Sequence, residues 1–143
     1  MENPSKYFDR FESWCEYDDQ GNIINYKDSD GSERWYEYDA RGILIHYKSS
    51  DGFESRYEYN DREDLIHYKD SDGSEESEKW YEYDNQGNLI NYKNSDGFES
   101  WSKYNNRGKL IYSRDSDGYE RWYKYDNQGN LIHSNSQGQK QSK

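Results

Sequence analysis

The chain has 143 residues and a formal net charge of -11; 29% of its residues are hydrophobic and 18% are Phe, Trp or Tyr. Low aliphatic content with high net charge is typical of disorder, but disordered chains are poor in aromatic residues, so this composition predicts a folded protein with mainly aromatic apolar surface. The sequence shows neither an apolar run of about 18 residues nor a signal-peptide pattern at its start, so we expect a cytoplasmic protein without membrane association.

Taken in chain order, the sequence repeats one pattern every 21 residues. Each repeat begins with Trp, or once with Arg56, and a Tyr follows three positions later. Three extra residues occur within the segment SEESEK at 74–79, and one residue is missing near the C-terminus. We predict a single domain over residues 1–143 with repeats near 14–34, 35–55, 56–79, 80–100, 101–121 and 122–139. The ends at 1–10 and 134–143 are expected to be atypical, and the tail at 134–143 partly flexible.

Glycine marks two turns in each repeat. One glycine falls in segments such as DNQGN and the other in segments such as SDG; these two slots hold all eleven glycines, and only Glu63 breaks the set. Glycine flanked by Asn and Asp indicates a tight turn with positive φ. The segments between the turns are rich in aromatic and β-branched residues and have the length of strands. We therefore predict an all-β fold, an antiparallel meander of about six β-hairpin repeats in one twisted sheet, open or curled.

Alternation along each strand assigns side chains to two faces. In the first strand of a repeat, Tyr36 and Tyr38 share one side, and the other side carries a Glu, Trp, Glu series at positions 33, 35 and 37. In the second strand, Ile45 and Tyr47 point one way, and Leu44, His46 and Lys48 point the other way. The expectation is an inner Tyr/Ile face and an amphipathic Trp/Glu/Lys face.

The pattern YEYDxxGNLIxYxxSDG resembles the YD repeat of the bacterial RHS family over roughly residues 11–138. The matching positions are Tyr81, Tyr83, Asp84, Gly87 and Leu89, and then Tyr123, Tyr125, Asp126, Gly129 and Leu131. The resemblance implies a strip of β-hairpins, which in large family members curls into a shell around a toxin domain. In size, charge and style the chain is also similar to immunity proteins of bacterial polymorphic toxins, including those of contact-dependent growth inhibition systems.

Catalytic and cofactor chemistry is not expected. His46, His67 and His133 occupy one slot of the repeat, so they are spaced along a ladder and do not converge on one point. The D-x-D-G segments are explained by turn chemistry, because the glycine stands at the fourth position and not at the sixth as in an EF-hand loop. Cys15 is the only cysteine, which excludes an intramolecular disulfide framework. We predict no enzyme, no metal, no cofactor and no direct binding of nucleic acid.

An acidic, rigid surface attracts a basic partner and resembles the polyanion that a nuclease binds. The main hypothesis is therefore an immunity protein that covers the active site of a basic toxin domain, a nuclease in the first instance. Two breaks in the repeat, the acidic insertion and Arg56, mark positions for specificity. The candidate partner-binding residues are Trp35, Trp80, Trp101, Trp122, Arg56, Glu33, Glu37, Glu54, Glu58, Asp70, Asp72, Glu75, Glu76, Glu78, Glu82 and Glu99.

Two alternatives remain open from the sequence. A module that binds carbohydrate or cell wall is suggested by Trp and Tyr at each repeat, since aromatic rings take up sugars or choline. The other alternative is a structural fragment of a larger YD-repeat protein. The oligomeric state does not follow from the sequence.

Overall fold

A computed structural model of the chain describes residues 12–138. Within that range every helix-or-strand element is a β-strand, so no described helix could cross a membrane. The strands form an antiparallel meander in which hydrogen-bonded neighbours follow chain order from β1 to β12, and the predicted all-β fold is confirmed. The strands are β1 (Ser13–Tyr17), β2 (Ile23–Asp28), β3 (Glu33–Tyr38), β4 (Leu44–Ser49), β5 (Glu54–Tyr59), β6 (Leu65–Ser71), β7 (Glu76–Tyr83), β8 (Leu89–Asn94), β9 (Glu99–Tyr104), β10 (Leu110–Asp115), β11 (Glu120–Tyr125) and β12 (Leu131–Gln137).

The described residues group into two compact units. The first contains residues 12–56 and 71–74, and the second contains residues 57–70 and 75–138. The single domain expected from the sequence stays a prediction. Strand β12 includes residues 134–137, whereas residues 1–10 and 139–143 of the predicted atypical ends lie outside the described residues.

The turns explain why glycine recurs at fixed positions. In the turn after β3, the Gly42 amide donates to the Asp39 carbonyl at 2.9 Å, and Gly42 has φ of 80°. The Asp39 carboxylate accepts the amides of Arg41 at 2.9 Å and Ile43 at 3.0 Å. A tight turn that ends in a left-handed residue joins two antiparallel strands with the correct twist. Ten of the eleven glycines have positive φ, as the sequence predicts.

Two positions show what the turn requires. Glu63 stands where the other repeats have glycine and adopts the same left-handed conformation, with φ of 67°, and its amide donates to the Asn60 carbonyl. Gly138 is the reverse case, because its φ is not positive and the expectation from the sequence was wrong there. A Cβ at Gly138 would lie only 2.9 Å from Cε1 of Tyr119, so close approach to this ring is what favours glycine.

A β-bulge corrects the predicted faces. Glu37 pairs with His46, but the next residue, Tyr38, pairs with Leu44, so one residue of β4 has no partner of its own. This extra residue breaks the alternation, because two residues of β4 then oppose one residue of β3. Leu44 therefore stands opposite Tyr38, on the face where the sequence predicted Ile45. Equivalent register shifts occur in four other hairpins, those of β1/β2, β7/β8, β9/β10 and β11/β12.

Tyrosine and phenylalanine rings pack in rows on one side of the sheet, which we call the Tyr face. Within the second unit, the Tyr92 ring lies 5.3 Å from Tyr81 and 6.1 Å from Phe98, measured between centroids, in tilted geometry. Among residues 12–138 no hydrophobic side chain is fully buried. The apolar contacts are thus a half-buried row of rings along the strands.

Tyrosine hydroxyls also connect neighbouring hairpins. Tyr38 donates to the carbonyl of Ile23 at 2.9 Å, and the same bond joins Tyr83 to Leu65 and Tyr125 to Leu110. Each bond runs from an odd-numbered strand to the even-numbered strand of the preceding hairpin. The tyrosine that recurs three positions after the Trp slot therefore has a structural role between repeats.

The turn carboxylates predict how stability depends on pH. Hydrogen bonds from the residue four positions later hold the pKa of four turn aspartates below the ordinary value: Asp18, Asp39, Asp84 and Asp126. Because the pKa is lower in the folded chain, the stabilisation is present above the unfolded pKa of about 3.9 and is lost as pH falls below it. The midpoint urea concentration of unfolding should fall between about pH 5 and pH 2 in the wild type. Changing all four aspartates to Asn is expected to make this fall smaller.

One turn of the wild-type chain already has Asn at the position of these aspartates. Asn60 caps its turn by accepting the amides of Arg62 and Asp64 at 2.9 and 3.0 Å, so Asn preserves the geometry without the charge. Asp19→Asn removes a neighbouring charge outside the cap and serves as control. An acid profile that is as steep in the four-Asn variant as in the wild type would exclude the turn aspartates as its source.

Candidate interaction surface

Most of the predicted binding residues share the side of the sheet opposite the Tyr face, which we call the Trp face. It carries alternate residues of the odd-numbered strands, and each group is described within its own unit. The first unit contributes Glu33, Trp35, Glu37, Glu54 and Arg56. The second unit contributes Glu58, Glu76, Glu78, Trp80, Glu82, Glu99, Trp101 and Trp122.

The charges in the first unit are compensated within the sheet. His46 lies between two glutamates, with Nδ1 3.1 Å from Glu37 Oε1 and Nε2 2.8 Å from Glu54 Oε1. Arg56 adds a second contact to Glu54 at 2.8 Å. The pKa of Glu54 is lowered, first by its hydrogen bond with His46 and then by that with Arg56. Arg56, in the slot that usually holds Trp, thus pairs with a neighbour on its own strand.

The acidic insertion lengthens the two strands beside it. Strands β6 and β7 have seven and eight residues, and Glu76 and Glu78 belong to β7. Lys69 contacts Glu76 at 2.9 Å and Glu78 at 3.1 Å. These bonds raise the pKa of Lys69, Glu76 contributing most, and the Lys69 hydrogen bond lowers the pKa of Glu78. Two of the three inserted acids therefore already have a cation beside them.

The remaining residues around the insertion are not brought to the Trp face. Asp70 accepts the hydroxyl of Tyr68 at 2.9 Å, which places it on the Tyr face. Burial, followed by this bond to Asp70, raises the pKa of Tyr68. Asp72 accepts the amide and hydroxyl of Ser74 at 2.9 and 2.7 Å, and Glu75 lies in the same turn.

Two indole rings of the second unit, those of Trp80 and Trp101, contact cations of the same chain. The guanidinium of Arg114 lies 4.4 Å from the Trp101 centroid, and Lys93 Nζ lies 5.9 Å from that of Trp80. The Trp80 ring also stacks on His67 at 5.3 Å with an interplanar angle of 11°. Cation–π contacts hold these rings against the sheet. A sugar or a partner residue would have to replace these contacts to stack on the same ring faces.

The slot of the repeat that holds the histidines is a row of hydrogen-bond donors. Its side chain bonds the first glutamate of the next odd strand, as Asn25 does to Glu33 at 3.1 Å and Asn91 to Glu99 at 3.0 Å. Tyr112 makes the same bond to Glu120 at 3.0 Å. The shared donor capacity of Asn, His and Tyr is the sequence signal that could have identified this slot.

In the slot two positions after the Trp slot, carboxylates such as those of Glu37 and Glu58 face outward. The side chains of Glu37 and Glu58 are 66% and 67% exposed, compared with 27% for Glu78, which is held in the sheet. In the last two repeats this slot carries Lys103 and Lys124. The exposed charge of the slot therefore changes sign along the chain.

An open groove of about 670 Å³ lies on the Trp face of the second unit. Ile90, Trp101 and Ile111 supply its apolar lining, and Glu82 and Asn91 its polar lining. The isoleucine of the even strands is thus on the Trp face, which corrects its predicted place beside tyrosine. Apolar lining with a few polar groups can accept a partner side chain.

A family model described as RHS Repeat matches residues 17–54 of the chain. The matched segment contains the turn glycines and the tyrosine slot of the second repeat. No curated protein matches the sequence. The sequence comparison thus supports the RHS resemblance over one part of the chain.

Solved structures of Tc toxin proteins share the fold. The chain matches a Photorhabdus luminescens Tc holotoxin pore carrying a mutated TccC3 at 17% identity, with a TM-score of 0.59. It matches the crystal structure of TcdB2-TccC3 at 18% identity with the same TM-score. In both cases the match covers 90% of this chain but 9% of the other chain. At this identity the likeness is one of fold.

Proposed function

We propose that this chain is a structural strip of RHS-type β-hairpins that forms part of a larger scaffold for a protein partner. The observation that carries the proposal is the pair of hydrogen bonds that recurs at the junctions between hairpins. A tyrosine hydroxyl bonds the preceding strand, and a donor of the even strand bonds the next glutamate, as at Tyr38 and Asn25. Repeats that interact mainly with their neighbours form arrays without one distinct site.

Strand β12 supports the same proposal. It is the last strand in the order of the sheet, and all its residues are exposed, with Leu131 and Ile132 at 54% and 56%. The inner junctions use the corresponding carbonyl, that of Leu110 for example, as the acceptor for a tyrosine. A further hairpin could therefore form with β12 the same kind of tyrosine hydrogen bond that joins the inner hairpins.

The partner of such a scaffold is proposed to be a protein. Similar folds occur in structures of a Tc holotoxin, and a toxin domain is therefore the first partner class to test. The net charge of -11 favours a basic surface on that partner through long-range attraction.

Immunity against a nuclease toxin remains the narrower proposal. It draws support from the acidic charge, but the contacts of Lys69, His46 and Arg56 neutralise several carboxylates on which it depends. The scaffold accounts for the contacts of Lys69 and His46, because they connect strands. Among residues 12–138, no described contact favours the carbohydrate alternative.

The two roles are distinguished by purifying the tagged chain from its native host with neighbouring genes intact and identifying the bound proteins by mass spectrometry. The scaffold role predicts a stoichiometric complex with a protein that carries RHS repeats, and no protection of cells when the chain alone is expressed against the neighbouring toxin. Protection by the chain alone would contradict the scaffold role and support immunity.

Glu82→Lys supplies the matched variant for this experiment. Lys103 and Lys124 occupy the same slot in later repeats, so the hairpin accepts lysine at this position. If Glu82 acts as part of an acidic toxin-binding surface, the substitution is expected to weaken toxin binding and to reduce its salt dependence. In the scaffold role it leaves complex formation unchanged.

A further inference from the structure

Two histidines have a geometry that neutral imidazole does not satisfy. Both ring nitrogens of His46 lie within hydrogen-bond distance of a carboxylate, at 3.1 Å from Glu37 and 2.8 Å from Glu54. A neutral imidazole has one N–H donor, whereas a protonated ring has two. Neutral His46 would therefore direct a lone pair at one of the two carboxylates, and the side chain is only 14% exposed.

His67 repeats this arrangement in the second unit. Its Nδ1 lies 3.2 Å from Glu58 Oε1, and its Nε2 lies 3.5 Å from Glu78 Oε2. Nε2 is buried and makes no hydrogen bond. The ring is stacked on Trp80, so it cannot turn toward solvent without losing that contact. A buried nitrogen beside a carboxylate gains an ion pair when it is protonated.

We propose that His46 and His67 are two proton-binding sites, each formed by a histidine between glutamates of the two flanking strands, which tighten the second and third hairpin junctions, β4/β5 and β6/β7, at acidic pH. Around His46 the charged groups are Glu37 on β3, and Glu54 and Arg56 on β5. Arg56 contacts Glu54 and leaves Glu37 to the imidazole. A proton on the ring completes both hydrogen bonds.

The charged groups around His67 are equally defined. They are Glu58 on β5, Glu78 on β7, and Lys69 on β6, which shares Glu78 with the imidazole. The Lys69 hydrogen bond lowers the pKa of Glu78, so this carboxylate is ionised while imidazole titrates. Lys69 disfavours protonation of His67, whereas the carboxylates of Glu58 and Glu78 favour it.

The remaining repeats provide internal references. Asn25 and Asn91 fill the slot with a donor that does not titrate, so those junctions are independent of pH in this range. His133 lies opposite Lys124 on β11 and not opposite a glutamate. The acid-sensitive geometry is therefore confined, among residues 12–138, to His46 and His67.

The direct test is ¹⁵N NMR of the three imidazole rings in the wild-type chain as a function of pH. The proposal predicts two N–H groups on the rings of His46 and His67 at a pH where the ring of His133 carries one. Titration of all three rings together would overturn it.

Stability provides the second readout, with His46→Asn, His67→Asn and the double variant. A proton bound mainly by the folded chain stabilises it, so the wild type is expected to lose stability as pH rises from about 5.5 to 8. The double variant should lack about 3 °C of that change in Tm for each site. Identical pH profiles would overturn the proposal, and Asn at positions 25 and 91 shows that the slot accepts this residue.

Discussion

Tyr92→Ala is expected to lower the free energy of unfolding by about 2–3 kcal/mol, the largest effect of a single truncation that we anticipate. The ring lies between Tyr81 and Phe98, with centroids 5.3 and 6.1 Å away, and the sheet has no second layer to fill the gap among the described residues. Complete burial would cost more, but this ring is only half-buried. Urea unfolding with fluorescence detection measures the change.

Tyr17→Ala is the matched control. Tyr17 is 58% exposed at β1, so its removal should cost less than about 1 kcal/mol. Equal effects of the two substitutions would mean that the rings on the Tyr face contribute no more than exposed side chains. The rows of rings on the Tyr face would then not be a main source of the stability of the sheet.

Exchanging glycine and glutamate between equivalent turns is expected to move stability in opposite directions. Gly87 has φ of 84°, and a Cβ there meets no atom within 4 Å, so Gly87→Glu tests backbone strain alone and should cost about 1–2 kcal/mol. Glu63→Gly removes the same strain and should stabilise the chain by at most about 1 kcal/mol, because glycine also gains freedom when unfolded.

Thermal and urea unfolding of both variants measure this pair of changes. The wild-type turn at Glu63 is the control for Gly87→Glu, and the wild-type turn at Gly87 is the control for Glu63→Gly, because each variant has the residue found at the other site. If both substitutions lowered stability, the side chain of Glu63 rather than backbone conformation would determine the turn.

Sequence reasoning predicted the hairpins because their signals are local. A glycine beside Asp or Asn specifies the left-handed turn residue, and ten glycines adopt it. The place of Ile45 could not be obtained from strict alternation, because the bulge that pairs Tyr38 with Leu44 adds one residue to a single strand. Gly138 was misassigned because its constraint comes from Tyr119, which is distant in sequence.

The charges of the candidate surface were only partly predictable. The number of acidic residues in the insertion drew attention to Glu76 and Glu78. It did not indicate that Lys69 contacts both, because the position of Lys69 beside them depends on the pairing of β6 and β7. The role of His46 was likewise hidden, because its two carboxylates come from two flanking strands. The binding role of the predicted residues stays a prediction.

The most direct measurement of the scaffold account is urea unfolding of a chain in which residues 80–100 are duplicated after Ser100. The added copy supplies one more hairpin and one more junction of the same kind, so the midpoint and the m-value should both increase in one cooperative transition. An unchanged or lower midpoint, or a separate transition for the added hairpin, would contradict an array stabilised by equivalent neighbouring repeats.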